Sequence, residues 1–180
     1  MRAWRTLPVM FTASVLAYIP LAFPMQESGE YLTSKEIEQM KEAQRIDLRV
    51  KVLMKIAERR LQALEQTATS PSKKKEEEAW GPLPKGTPEE LLQHYIKAID
   101  ETILNIEDAH SQDPENEFLH SALKAFREAT DRYLLRLKAL KDGLKSPEAQ
   151  ETLDRAIEAT ELANADAREG EARFAKPKKK

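Results

Sequence analysis

Two Glu-x-x-His spacings, Glu107 with His110 and Glu117 with His120, are the residues of this chain best suited to chemistry. On an α-helix that spacing sets a carboxylate and an imidazole on one face, as carboxylate-bridged metal pairs in helical bundles require. The direction of the two faces counts against such a site. At 100° per residue His110 falls near the apolar stripe of its helix, whereas Glu117 and His120 point away from the stripe of theirs, so the pairs are not expected to converge. A two-metal core also needs two further inward carboxylates, and the apolar stripes offer none. His110 is therefore expected at the rim of a core and His120 on the surface. His94, with Glu90 four residues before it and Lys97 three after, reads as exposed. The chain has no cysteine, which excludes disulfides, thiolate metal sites, a cysteine nucleophile and an acylated lipoprotein cysteine. It also lacks a nucleophile elbow, a phosphate-cradling glycine loop and a dinucleotide fingerprint. No catalytic, cofactor-binding or metal-ligating residue is assigned, and the expectation is a non-enzymatic protein. A metal-dependent enzyme using Glu107 and His110 is the alternative from another class.

The elements that carry these residues are helical. Of 180 residues 41% are hydrophobic, a third are charged and 6% are aromatic, with five glycines, the balance of long amphipathic helices rather than of sheet. Asp-Pro-Glu at 113–115 has the chemistry of a helix start. From there Leu119, Ala122, Leu123, Phe126, Ala129, Tyr133, Leu137, Leu140 and Leu144 share one stripe. Gly143 reads as a left-handed cap, and Ser-Pro-Glu at 146–148 starts the next helix, which has a thinner stripe of Leu153, Ala156, Ile157, Thr160, Ala163 and Ala167. Thr-Pro-Glu-Glu at 87–90 opens a helix whose inner face is Leu91, Leu92, Tyr95, Ile96, Ile99, Ile103 and Ile106. Its short link to the following helix predicts an antiparallel hairpin.

Thr33 and Glu36 have capping-box spacing at the start of a long first helix, helix A. Ile46, Val50, Leu53, Ala57, Leu61 and Leu64 make one stripe on it, and Leu48, Val52 and Ile56 make a second one roughly opposite. Helix A either lies between other helices or offers Leu48, Val52 and Ile56 to a protein partner or a second copy. Residues 67–86 mix Pro, Gly and runs of Lys and Glu, and read as a linker anchored by Trp80 and Leu83.

Residues 1–24 carry two arginines and then an apolar run over 7–23 broken by Pro8 and Pro20, the pattern of an export signal. Small residues are not paired for cleavage, so an uncleaved anchor and membrane proximity stay open. Without the leader the chain holds 27 bases against 31 acids, and four of those bases sit in the last five residues. The folded part is thus near −8, which argues against nucleic acid as the ligand.

From Tyr133 to Glu161 the text reads Tyr-Leu-Leu-Arg-Leu-Lys-Ala-Leu-Lys-Asp-Gly-Leu, then Ser-Pro-Glu-Ala, then Thr-Leu-Asp-Arg-Ala-Ile-Glu-Ala-Thr-Glu. It resembles a helical-hairpin domain of unknown function found in exported bacterial proteins. There a leucine-rich turn closes a long helix, a Pro-Glu pair starts the next, and an Ala-Ile-Glu-x-Ser/Thr segment follows. Tyr133 stands where that family often has histidine, and Thr160 takes the Ser/Thr place. The resemblance implies a bacterial, extracytoplasmic setting and brings no catalytic residue.

These readings combine into an all-α, up-and-down four-helix bundle with helices at about 34–66, 88–111, 114–142 and 147–169. The division expected is a signal or anchor at 1–24, a tether at 25–32, helix A at 33–66, a linker at 67–86, a three-helix core at 87–170 and a basic tail at 171–180. The location expected is the periplasm or outside the cell, and the role is structural or one of protein interaction. The alternative within that class is a chaperone-like or stress-binding protein.

Overall fold

Two threonines start helices by the same reciprocal pairing. The Thr33 hydroxyl accepts from the Glu36 N–H at 3.3 Å while the Glu36 carboxylate accepts from the Thr33 N–H at 2.9 Å, and Thr87 with Glu90 repeats the arrangement at 3.2 and 2.9 Å. The computed structural model describes residues 31–65 and 78–175. The leader at 1–24, most of the tether, the last residue of the expected helix A (66), linker residues 67–77 and tail residues 176–180 lie outside the described residues. Within them the chain is all-helical with no strand: α1 (Ser34–Glu42), α2 (Ile46–Glu65), α3 (Pro88–Gln112), α4 (Leu119–Ala139) and α5 (Pro147–Ala175), with residues 78–80 also helical.

Three boundaries depart from the expectation, each for a physical reason. The single helix at 34–66 is broken at 43–45, where Ala43 takes φ −83° and ψ 78°. An unbroken helix would hold residues 36 and 60 about 36 Å apart at 1.5 Å per residue. The break lets α1 fold back on α2, so that Glu36 meets Arg59 and Arg60.

Asp-Pro-Glu at 113–115 does not start α4. Asp113 spends its side chain on the Glu115 N–H at 3.1 Å and Asn116 spends its own on the Phe118 N–H at 3.0 Å, giving successive tight turns before Leu119. Finally, α5 passes through Gly170 to Ala175 instead of ending near 169.

Neighbours follow from named contacts. Arg49 donates to Asn105 at 2.6 Å, so α2 runs antiparallel to α3. Lys141–Asp154, Lys138–Glu161, Arg168–Asp131 and Arg127–Glu171 make a descending ladder that sets α4 antiparallel to α5. Tyr133 donates its hydroxyl to the Met54 carbonyl at 2.7 Å, and the fork of Arg136 closes on Glu65 at 2.7 and 2.8 Å, so α2 and α4 lie side by side. Tyr95 and Thr160 share a hydrogen bond of 2.8 Å between α3 and α5.

The antiparallel hairpin expected of the helices at 88–111 and 114–142 is therefore not a pair of neighbours. The broad contacts of α3 and α4 are with α2 and α5, and the two meet each other far less. The turns at 113–118 carry the chain across the end of the bundle. One core unites Val50, Leu53, Leu92, Ile99, Phe126, Leu137 and Leu153, so α2 shares the interior of the three later helices. No described helix is long and apolar enough to cross a membrane.

Candidate functional site

Where α3 ends and α4 begins, the turns at 113–118 hold the two helices apart and leave a cavity of about 540 Å³ between them and the last turns of α5. Its floor is apolar: Ile103 and Ile106 from α3, Leu119, Leu123 and Phe126 from α4, and Ala167 from α5. Its rim carries Glu107, His110, Glu117, His120, Asp166 and Arg173. The Phe174 ring stands between the two histidines, edge-on to His110 with centroids 6.5 Å apart and tilted to His120 at 6.3 Å. Gly170 sits where α5 comes close to α4: a Cβ there would lie 3.1 Å from both methyls of Leu123.

The structure thus brings together what the helical wheels kept apart. Glu107, His110, Glu117 and His120 all line this cavity, because α4 starts only at Leu119 and the non-helical turns re-aim Glu117. Among the described residues no group of three or more histidine or acidic side chains is placed to hold a metal ion. The face expected to meet a partner is divided. Leu48 is 41% exposed, Val52 is half-buried against the core, and Ile56 is 0% exposed.

At the opposite end of α2 lies a second polar constellation, one that charge patterning alone does not reveal. Arg59 and Arg60 are both about 1% exposed, and Glu36 is fully buried between them. Arg59 donates to Glu36 at 3.0 Å and to the carbonyl oxygens of Gly81 and Pro82. Arg60 forks onto both Glu36 oxygens and reaches the carbonyls of Tyr31 and Ile56. Gly81, at φ +71°, supplies the left-handed turn that aims these carbonyls inward. Trp80 and Tyr31 stand by the guanidinium groups, with centroids 6.0 and 5.7 Å from the Arg59 and Arg60 carbons.

Burial alone would raise the Glu36 carboxyl, but the hydrogen bond and charge of Arg60, the Thr33 N–H and Arg59 outweigh it and hold the group below its usual range. His94 is half-buried rather than exposed, with its ring 5.9 Å from that of Tyr31. Burial, then the charges of Arg60 and Lys97, push its pKa down. Burial and the neighbouring Glu101 carboxylate push the Tyr31 phenol up. Between them these groups tie α1, Tyr31 and the 81–82 turn to α2 and α3, and none of them lines the cavity.

The cavity and the arginine cluster were both hidden from the sequence. Nothing local marks the second: Arg59-Arg60 lies in Glu-Arg-Arg-Leu-Gln, an ordinary amphipathic stretch of α2, and Glu36 is already engaged with Thr33 in its capping box. Comparison with known proteins places no neighbour beside this chain: no protein-family model matches it, nor does any curated protein or solved structure.

Proposed function

We propose that the protein is a non-enzymatic, exported binding module. In this reading an up-and-down four-helix bundle, with α1 folded back along α2, receives an apolar group at the end that holds the 113–118 turns. The observation that carries it is the cavity itself, walled by Ile106, Leu119, Leu123 and Phe126 and framed by Phe174. Its volume falls within the roughly 300–1,000 Å³ of ordinary small-molecule sites, whose lining is likewise mainly apolar with a few polar groups at the edge. Export rests on the arginines and apolar run of residues 1–24 and on the likeness to helical hairpins of exported bacterial proteins. Intact mass of the protein recovered from outside the cytoplasm checks it, the expected result being loss of a segment of about the leader's length. The full-length mass recovered only with membranes would turn the leader into an anchor.

A protein partner or second copy reached through α2 would have to be met at Leu48, since Ile56 has no surface to offer. The binding reading is tested by titrating isotopically labelled protein with naphthylmethanol, a neutral apolar probe. Saturable amide shifts confined to residues 103–110, 119–126 and 166–174 are expected. Shifts that do not saturate, or that scatter over all helices, would remove the cavity as a site.

A further inference from the structure

The rim of the cavity says more than that something apolar enters it. This step rests on the binding reading above and concerns the sign of the ligand's charge. Glu107, Glu117, Asp166 and Glu169 stand on the lining together with one permanent cation, Arg173, whose guanidinium already meets Glu169 at 2.6 Å. Arg45, stacked 4.1 Å over Phe118, lends its field to Glu117. No ion pair reaches Glu107 or Asp166 among the described residues. The mouth is therefore electronegative, and the floor beneath it is apolar.

Phe174 adds an aromatic ring at the same mouth, flanked by two imidazoles. Aromatic faces attract an ammonium through their quadrupole, and carboxylates do so through their charge. An anion entering here would meet carboxylates with no free guanidinium to receive it. A neutral apolar compound would gain the floor and nothing from the rim.

We propose that the cavity binds an organic cation with an apolar body, the body seated on Ile106, Leu123 and Phe126 and the ammonium held at the rim by Glu107, Asp166 and the Phe174 ring. The unoccupied rim carboxylates select for positive charge, and the apolar floor selects against a bare inorganic ion.

The test is calorimetric titration of the full chain, at low salt, with three probes that share one ring system: naphthylmethylammonium, naphthylmethanol and naphthoate. The cation is expected to bind at least about tenfold tighter than the alcohol, naphthoate more weakly than either, and added salt to weaken the cation alone. The double variant Glu107→Gln/Asp166→Asn should bring the cation to within about twofold of the alcohol's affinity and leave the alcohol's unchanged. Both side chains are exposed, so its thermal unfolding serves as a folding control and should match the parent.

If the alcohol or naphthoate binds as tightly as the cation, the charge assignment falls while the apolar site stands. If none of the three binds saturably, both fall. The chain's own lysines at 176–180 are the rival occupant. A chain ending at Ala175 should bind the cation within about twofold of the parent, and a rise of about tenfold or more would show that the tail, not an outside ligand, fills the site.

Discussion

Glu36 has no contact with solvent, and its two oxygens face two guanidinium groups that are themselves sealed from water. One carboxylate against two buried arginines leaves a positive excess, and the carbonyls of Tyr31, Ile56, Gly81 and Pro82 spread over it. Removing the carboxylate is therefore far costlier than losing a surface ion pair. Glu36→Gln should destabilise the fold by about 3–5 kcal/mol in denaturant unfolding, the range for breaking a buried pair from one side. A loss below about 1 kcal/mol, the range of exposed pairs, would mean that water reaches the arginines.

The same residues set the pH dependence. Glu36 is held below its usual 4.5, so it contributes stability above that value that is lost as pH falls through the folded-state value. His94 is also held below its usual 6.5, and the unfolded chain takes up its proton first as pH falls. Stability should therefore begin to decline below about pH 6.5, and His94→Asn should remove that first part of the decline in denaturant midpoints measured across pH.

At the scale of the element, α5 is built of small residues where the others carry large ones: Ala149, Ala156, Ala163 and Ala167 are buried, and Gly170 lies close against Leu123. A methyl at Gly170 would crowd Leu123 at 3.1 Å, yet Leu123 borders an open cavity and has somewhere to turn. Gly170→Ala is thus expected to raise stability by about 0.5–1 kcal/mol through helix propensity, while the displaced leucine shrinks the cavity and weakens naphthylmethanol binding. Destabilisation would show that Leu123 is pinned.

What could be read in advance follows the same division. The caps at Thr33 and Thr87, the apolar stripes and the small-residue face of α5 were legible because each is set by neighbours in sequence. The start of α4 was not, because Asp113 and Asn116 can serve a tight turn as well as a helix, and only the need to cross the bundle end decides between them. For the same reason Glu117 was expected away from the cavity it lines, whereas His120, on α4 itself, is exposed as its wheel position implied. Leu48, Val52 and Ile56 formed one face on paper, yet the position of α2 between α3 and α4 sends Ile56 inward and leaves Leu48 out. Arg59 and Arg60 were illegible altogether, since nothing local announces a chain that doubles back at 43–45.

For the molecule as a whole, the two ends are built differently. The chain passes from α3 to α4 across the bundle, so the end with the turns at 113–118 is held open, while toward the other end the fold-back of α1 on α2 and the 81–82 turn close over the buried arginines. Between them Tyr133 on Met54, Tyr95 on Thr160 and Asn164 on Thr130 pin all four main helices together at 2.7, 2.8 and 2.8 Å. Asn164→Leu removes the only buried amide of that set. It leaves the Thr130 hydroxyl its bond to the Phe126 carbonyl, so a modest loss of about 1–2 kcal/mol in unfolding free energy is expected.

The most direct measurement is a crystal structure of the full chain with naphthylmethylammonium bound. The ring should lie between Ile106, Leu123 and Phe126, with its ammonium toward Glu107 and Asp166. A ring found on the outer faces of the helices, with the cavity empty beside it, would contradict the account.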